Sequence, residues 1–134
     1  MKKTQEYWKK KLTPQEFAVC RLGETETPFS GKYDKHFEPG SYYCAVCGQK
    51  LFLSETKYDS GSGWPSFWDF AEKGSIKTRD DVAFGMRRIE VLCSKCESHL
   101  GHVFDDGPKA SPSGKKATGK RYCINSIALK FIPD

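Results

Sequence analysis

Four of the six cysteines fall into two pairs, Cys44-Ala-Val-Cys47 and Cys93-Ser-Lys-Cys96, and no other feature of the sequence restricts the fold so sharply. Two intervening residues let a tight turn aim both sulfurs at one point, and two such turns complete a tetrahedral four-thiolate site. The stretch between Cys47 and Cys93 is much longer than in a simple zinc ribbon, so a bound metal ties together two hairpins distant in sequence. A redox pair or disulfides are the competing readings of the same spacing. The doubled motif in a reducing compartment favours structural Zn2+ held by Cys44, Cys47, Cys93 and Cys96. Four thiolates leave zinc no open coordination position, which sends any chemistry elsewhere.

The rest of the chain predicts a small, mainly β protein. Its 134 residues suggest a single domain, residues 1–134. Thr13-Pro14-Gln15-Glu16 carries an N-cap, a proline suited to the first turn and a capping-box glutamate, so a short amino-terminal helical arm starts there and ends near Gly23. Gly, Pro, Ser and Thr then make loop to about residue 41. Strand-like pieces follow at residues 42–44, 50–53, 81–93, 102–104 and 121–131. No apolar run is long enough to span a bilayer, and MKKTQEYWKKKL lacks the apolar segment of a secretory signal, so a cytoplasmic protein with no membrane partner is expected. The net charge of +5 sits largely at the amino terminus and in KASPSGKKATGK, a flexible lysine-rich loop at residues 109–120. That is the distribution of a solvated surface more than of a nucleic-acid reader, which gathers basic and stacking groups on one face.

Two cysteines, Cys20 and Cys123, remain outside the pairs. Read as one strand, RYCINSIALKF at residues 121–131 puts Arg121, Cys123 and Asn125 on one side, followed there by Ile127, Leu129 and Phe131. A lone cysteine is most often a small buried hydrophobe. Here Arg121 favours the thiolate, and Asn125 offers a hydrogen bond to a polar substrate or a water. Such a trio is costly in an apolar core and suits the rim of a pocket. His99 and His102 follow the second cysteine pair; with four cysteines available they read less as metal ligands than as structural hydrogen-bond donors or as acid groups suited to work near neutral pH. In Gly61-Ser62-Gly63-Trp64-Pro65-Ser66-Phe67-Trp68, glycines let a loop bend closely and aromatics supply an apolar wall.

The motifs CAVCG, SGSGWPSF, CSKC, HLGHVFDDGP and RYCINS, in that order, resemble the B-type methionine sulfoxide reductases, from about the TPQEF helix through the last strand. The resemblance implies a fold of two antiparallel sheets, the β-tent. It implies Cys123 as nucleophile, His99, His102 and Asn125 as polar substrate-site residues, and Trp64 and Phe104 as aromatics facing the substrate methyl. Arg121 is the flanking cation, and the four paired cysteines are the zinc ligands.

The implied reaction is thiol-dependent reduction of methionine-R-sulfoxide in oxidised proteins. A sulfoxide sulfur is a poor electrophile until its oxygen is protonated, so the attacking thiolate needs His99 or His102 beside it as acid. Methionine leaves, and Cys123 becomes a sulfenic acid. Many members of the family carry a resolving cysteine where this chain has Ser62. Cys20 is then the other available thiol, although its place three residues after Phe17 on a helix favours packing. If Cys20 resolves, thioredoxin reopens the disulfide; otherwise thioredoxin or another external thiol attacks Cys123 directly. A monomer is expected. A zinc-clipped binding module and a thiol peroxidase are the rival functions, and turnover of sulfoxide epimers separates all three.

Overall fold

The structure, a computed structural model, describes residues 4–83, 85–110 and 116–134. Two helices open the chain. The first, α1 (Gln5–Lys11), is absent from the sequence prediction. Thr4 caps it by accepting from the Tyr7 N–H, and Lys9, Lys10 and Lys11 lie in its last turn, at the negative end of the helix dipole. It buries Trp8, over which the Arg21 guanidinium sits 5.0 Å from the ring centre. The second, α2 (Pro14–Cys20), has the expected capping box: the Thr13 hydroxyl accepts from the Glu16 N–H at 3.2 Å, and Glu16 Oε1 accepts from the Thr13 N–H at 2.9 Å. No helix among the described residues is long and apolar enough to cross a membrane.

The strands are β1 (Gly40–Cys44), β2 (Lys50–Leu53), β3 (Lys57–Tyr58), β4 (Ser66–Phe67), β5 (Ile76–Ala83), β6 (Met86–Cys93), β7 (His99–Phe104), β8 (Arg121–Ile124) and β9 (Leu129–Pro133). They form two antiparallel sheets, as expected: β2-β1-β9, and β3-β4-β8-β7-β6-β5. Phe52 from the small sheet stacks on Phe67 from the large one at 4.4 Å, and Tyr42 meets the same ring edge-on at 5.2 Å. With Leu51, Leu100 and Ile124, all fully buried, these rings form the core. Burial of each stabilises the fold by roughly 1.5–3 kcal/mol.

Two predicted strands divide. Residues 81–93 are not one strand but the end of β5, a turn and β6. β5 begins at Ile76 and pairs with β6 so that Ala83 faces Met86 across a turn in which Gly85 has φ +73°. RYCINSIALKF also breaks. Arg121 and Cys123 share a face of β8, but a 3-10 turn at Ser126–Ala128 follows, and β9 belongs to the other sheet, with Phe131 opposite Tyr42. Ile127, Leu129 and Phe131 therefore do not continue the Cys123 face. Side-chain bonds outcompete the ladder here. Asn125 Nδ2 donates to the Leu100 carbonyl and its Oδ1 accepts from the Glu26 N–H, each at 3.0 Å, while Ser126 Oγ accepts from the Tyr33 N–H at 3.2 Å.

Of the lysine-rich loop predicted at 109–120, residues 111–115 lie outside the described residues. Its ends are joined by a bridge between Ala110 and Lys116, and the Ala117 N–H donates to the Lys109 carbonyl at 3.0 Å.

Candidate active site and metal centre

Both cysteine pairs are hairpin turns, one in each sheet. Cys44 ends β1 and Cys47 leads toward β2; Cys93 ends β6 and Cys96 leads toward β7. The two turns share one hydrogen-bond pattern. The Gly48 N–H donates to the Cys44 carbonyl, and the Glu97 N–H donates to the Cys93 carbonyl, both at 2.9 Å. The residue after each pair is left-handed, Gly48 at φ +83° and Glu97 at +61°, which curls the backbone so that both sulfurs point inward. Cys44 Sγ lies 3.6 Å from Cys96 Sγ and Cys47 Sγ lies 3.5 Å from Cys93 Sγ, with all four ligand atoms within 4.8 Å of one another. A tetrahedron of zinc–sulfur bonds of about 2.3 Å has sulfurs about 3.8 Å apart. The four cysteines are thus placed to hold a metal ion, and they bring together the two distant hairpins as the sequence predicts.

Cys123 lies in a separate groove of about 240 Å³ lined by Trp64, Arg88, His102, Phe104, Arg121 and Asn125, among others. A larger hollow of about 970 Å³, between α2 and residues 24–33, contains none of the predicted site residues; the chemistry-bearing side chains single out the smaller one. His102 is the direct cross-strand partner of Cys123 on β7 and β8. Between these strands Gly101 is required: a methyl group on it would strike the Cys123 carbonyl oxygen.

The predicted residues separate in role. Trp64 forms one wall, its indole Nε1 donating to the Glu26 carbonyl at 3.0 Å. Phe104 forms another, with the Arg121 guanidinium 4.4 Å from its ring centre. Arg121 is also engaged by Asp106, with Nε 2.9 Å and Nη2 3.3 Å from its two carboxylate oxygens. Arg121 favours the Cys123 thiolate, as expected, but burial is the larger influence. Burial pushes the thiol above its ordinary value, and Arg121 and the Ser62 hydroxyl oppose that push. Asn125 does line the groove, but both polar ends of its amide are committed to Leu100 and Glu26. It positions backbone in this way, and does so with only one of its two Nδ2 hydrogens.

The histidines differ too. His102 Nε2 lies 2.8 Å from Asp81 Oδ2, and Arg88 reaches the same oxygen at 3.3 Å. This contact holds the Asp81 carboxyl below its usual range. His99 lies behind His102, with ring centres 5.4 Å apart, and is not among the groove's lining residues. Its Nδ1 donates to Glu90 Oε2 at 2.6 Å, Arg79 holds the other Glu90 oxygen at 2.6 Å, and its Nε2 is buried without a partner. Burial pulls His99 below the ordinary histidine value against the influence of Glu90, leaving it neutral.

Cys20 does not reach this groove's lining. It is 1% exposed at the end of α2, packed in the core cluster that includes Cys44 and Cys96, and burial pushes its thiol up to about 12. Ser62, in contrast, lies beside Cys123, where the pair interact through their side chains.

Asp81, Glu90, Arg88 and Glu26 are absent from the sequence prediction. The signal for the first three was present: with the turn placed at Gly85, Arg79 meets Glu90 and Asp81 meets Arg88 as opposite charges across the hairpin. Nothing local marks Glu26, whose hydrogen bonds to Asn125, Trp64 and Ile127 all span long stretches of sequence.

The SelR domain profile matches residues 12–133. The chain is 51% identical over 131 residues to the peptide methionine sulfoxide reductase MsrB of Methanosarcina barkeri, covering 98% of this chain and 87% of that protein. It is 50% identical over 126 residues to the protein of the same name from Pseudomonas aeruginosa, covering 94% and 90%. It is also 50% identical over 130 residues to the mitochondrial methionine-R-sulfoxide reductase B3 of Mus musculus, covering 97% of this chain and 49% of that protein.

Proposed function

The chain belongs to the SelR-domain family, and from that membership and the groove around Cys123 we infer a peptide-methionine (R)-S-oxide reductase, which reduces methionine-R-sulfoxide to methionine with thiols as the reductant. The observation that carries the assignment of roles is Cys123 facing His102 across two strands in a groove with aromatic walls.

Cys123 is the nucleophile. Its sulfur attacks the sulfoxide sulfur while the sulfoxide oxygen takes up a proton. The S–O bond breaks, the oxygen ends on Cys123 as a sulfenic acid, and methionine leaves. The substrate sulfur gains two electrons and the cysteine sulfur loses two. His102 supplies the proton, since it faces Cys123 and is backed by Asp81. His99, held neutral by burial with Nδ1 turned to Glu90, offers Nε2 behind His102 as a hydrogen-bond partner for a bound water. Trp64 and Phe104 take the S-methyl group. Holding the apolar methyl against rings and the S–O dipole toward His102 selects one epimer.

An external thiol, thioredoxin or a small thiol, recycles the enzyme. It attacks the Cys123 sulfenic acid, releasing water and forming a mixed disulfide, and a second thiol then frees Cys123. The burial of Cys20 and the presence of Ser62 beside Cys123 support this route over an internal disulfide. Zn2+ is the metal whose coordination the four-cysteine cluster fits, and when bound there it joins the two sheets structurally. Oxidised proteins are the expected substrates, and the cytoplasm the expected compartment.

The test is turnover of the separated sulfoxide epimers with dithiothreitol. The R epimer should be consumed, the S epimer left, and Cys123→Ser inactive. Consumption of the R epimer by Cys123→Ser would remove Cys123 from the mechanism.

A further inference from the structure

We propose that Ser62, Ser60 and Ser66 form a hydroxyl chain that reverses direction when Cys123 ionises, which makes Ser62 a further catalytic residue and Ser60 its positioning residue. This rests on Cys123 being the nucleophile, and it goes beyond that reading in assigning work to three side chains that replace nothing in the covalent chemistry.

The hydroxyls run in series from the groove. Ser62 lines the groove with Cys123, and its hydroxyl favours the Cys123 anion against the effect of burial. Ser62 Oγ is 2.8 Å from Ser60 Oγ, and Ser60 Oγ is 2.7 Å from Ser66 Oγ. At the far end the Ser66 hydroxyl donates to the Trp64 carbonyl at 3.2 Å. Ser66 is fully buried and is the cross-strand partner of Cys123 on β4 and β8. The Ile124 N–H donates to the Pro65 carbonyl at 3.0 Å, so Ser66 and Cys123 form the non-hydrogen-bonded kind of antiparallel pair, in which side chains approach more closely. The series therefore starts beside the reactive sulfur and ends at its cross-strand neighbour on β4.

Proton counting gives the chain two complete arrangements. A serine hydroxyl has one proton and two lone pairs. With Cys123 as a thiol, S–H donates to Ser62, Ser62 to Ser60, Ser60 to Ser66, and Ser66 to the Trp64 carbonyl. When the thiol proton leaves to solvent through the groove, each hydroxyl turns: Ser66 donates to Ser60, Ser60 to Ser62, and Ser62 to the sulfur anion. The single bond to the Trp64 carbonyl is exchanged for a charge-assisted bond at sulfur, reinforced by two donors aligned behind it. No proton travels along the series; only the hydroxyl rotors move. Around the sulfur, Arg121 favours the anion and Glu26 opposes it, Tyr58 feels its charge, and His102 and Arg88 line the same groove.

The test is the pH dependence of Cys123 alkylation by iodoacetamide, followed by the mass of the Cys123 peptide in the intact, metal-replete protein. Ser60→Ala leaves the hydroxyl next to Cys123 in place but cuts the series behind it. Its alkylation midpoint should rise by about half a pH unit to one unit, which makes alkylation roughly three- to tenfold slower below the midpoint. Ser66→Ala should move the midpoint the same way by less, Ser62→Ala by at least as much as Ser60→Ala, and Ser60→Thr should restore the original profile. Profiles for Ser60→Ala and Ser66→Ala that overlay the unsubstituted protein overturn the proposal. So does a Ser60→Thr shift as large as that of Ser60→Ala, which would mark packing as the cause. Alkylation reports the thiolate whether or not sulfoxide is turned over, so this result is separate from the epimer assay on Cys123→Ser.

Discussion

His102 and Cys123 stand directly opposite each other on neighbouring strands, and the imidazole is held from behind by the carboxylate of Asp81 at 2.8 Å. Removing the ring while keeping a polar group, as in His102→Gln, should lower kcat/KM for R-sulfoxide by about a hundredfold or more. Alkylation of Cys123 at high pH should continue in the same variant. A variant that retained near-normal kcat/KM would move the acid role away from His102.

The Asp81–His102 contact also predicts an acid dependence of stability. In the fold, Asp81 is held below its usual value first by its hydrogen bond to His102; in the unfolded chain it returns to about 3.9. The folded state therefore binds that proton less readily. The contact stabilises the protein above the ordinary carboxylate range, and its contribution is lost as pH falls through the depressed value. Asp81→Asn should melt at a lower temperature than the unsubstituted protein near pH 7 and converge with it in acid. A melting difference that grew in acid would reverse the assignment.

Cys20→Ser should leave turnover unchanged with both thioredoxin and dithiothreitol, because the thiol is sealed in the core beside the cysteine cluster. In the unsubstituted protein Cys20 should resist alkylation near neutral pH, since burial pushes it up to about 12. Cys20→Ala should cost on the order of 1 kcal/mol of stability. Activity lost with thioredoxin alone would restore Cys20 as the resolving thiol.

Ser62→Cys should convert the recycling route. Its sulfur would lie beside Cys123, so a stoichiometric turnover should end in an intramolecular disulfide visible as the loss of two thiols. The unsubstituted protein should instead yield a dimedone-trapped sulfenic acid at Cys123. Two free thiols remaining in Ser62→Cys after turnover would contradict the placement.

Chelation of metal from the four-cysteine cluster should unfold the protein and not merely stop turnover, because Cys44 and Cys47 belong to one sheet and Cys93 and Cys96 to the other. Circular dichroism and metal content measured together provide the check. A chelated, metal-free protein with an unchanged thermal midpoint would leave the cluster without a stabilising role.

What the sequence revealed and what it hid have a common physical basis. The cysteine knuckles and the Thr13–Glu16 capping box depend on residues a few positions apart, so their geometry is written locally. The site's motifs were likewise legible, since Cys123, His102, Trp64, Phe104 and Arg121 all line one groove. The break after Ile124 was not, because it depends on Asn125 bonding to Leu100 and Glu26, both far away in sequence. An alternating pattern looks the same whether the chain continues in one sheet or crosses to another. Glu26 was hidden for the same reason: its main chain holds Trp64 and Asn125, while its Oε1 accepts from the Ile127 N–H at 3.0 Å.

The placement of β1 between β2 and β9 has a consequence for how the chain is made. On the ribosome, β1 and β2 emerge early and can pair at once, but the other side of β1 stays open until everything through β8 has been synthesised and β9 arrives. During that interval the nascent chain exposes unsatisfied backbone along Gly40–Cys44, an edge of the kind on which neighbouring chains aggregate. Translation speed and chaperone occupancy over the middle of the message thus bear directly on the yield of folded protein.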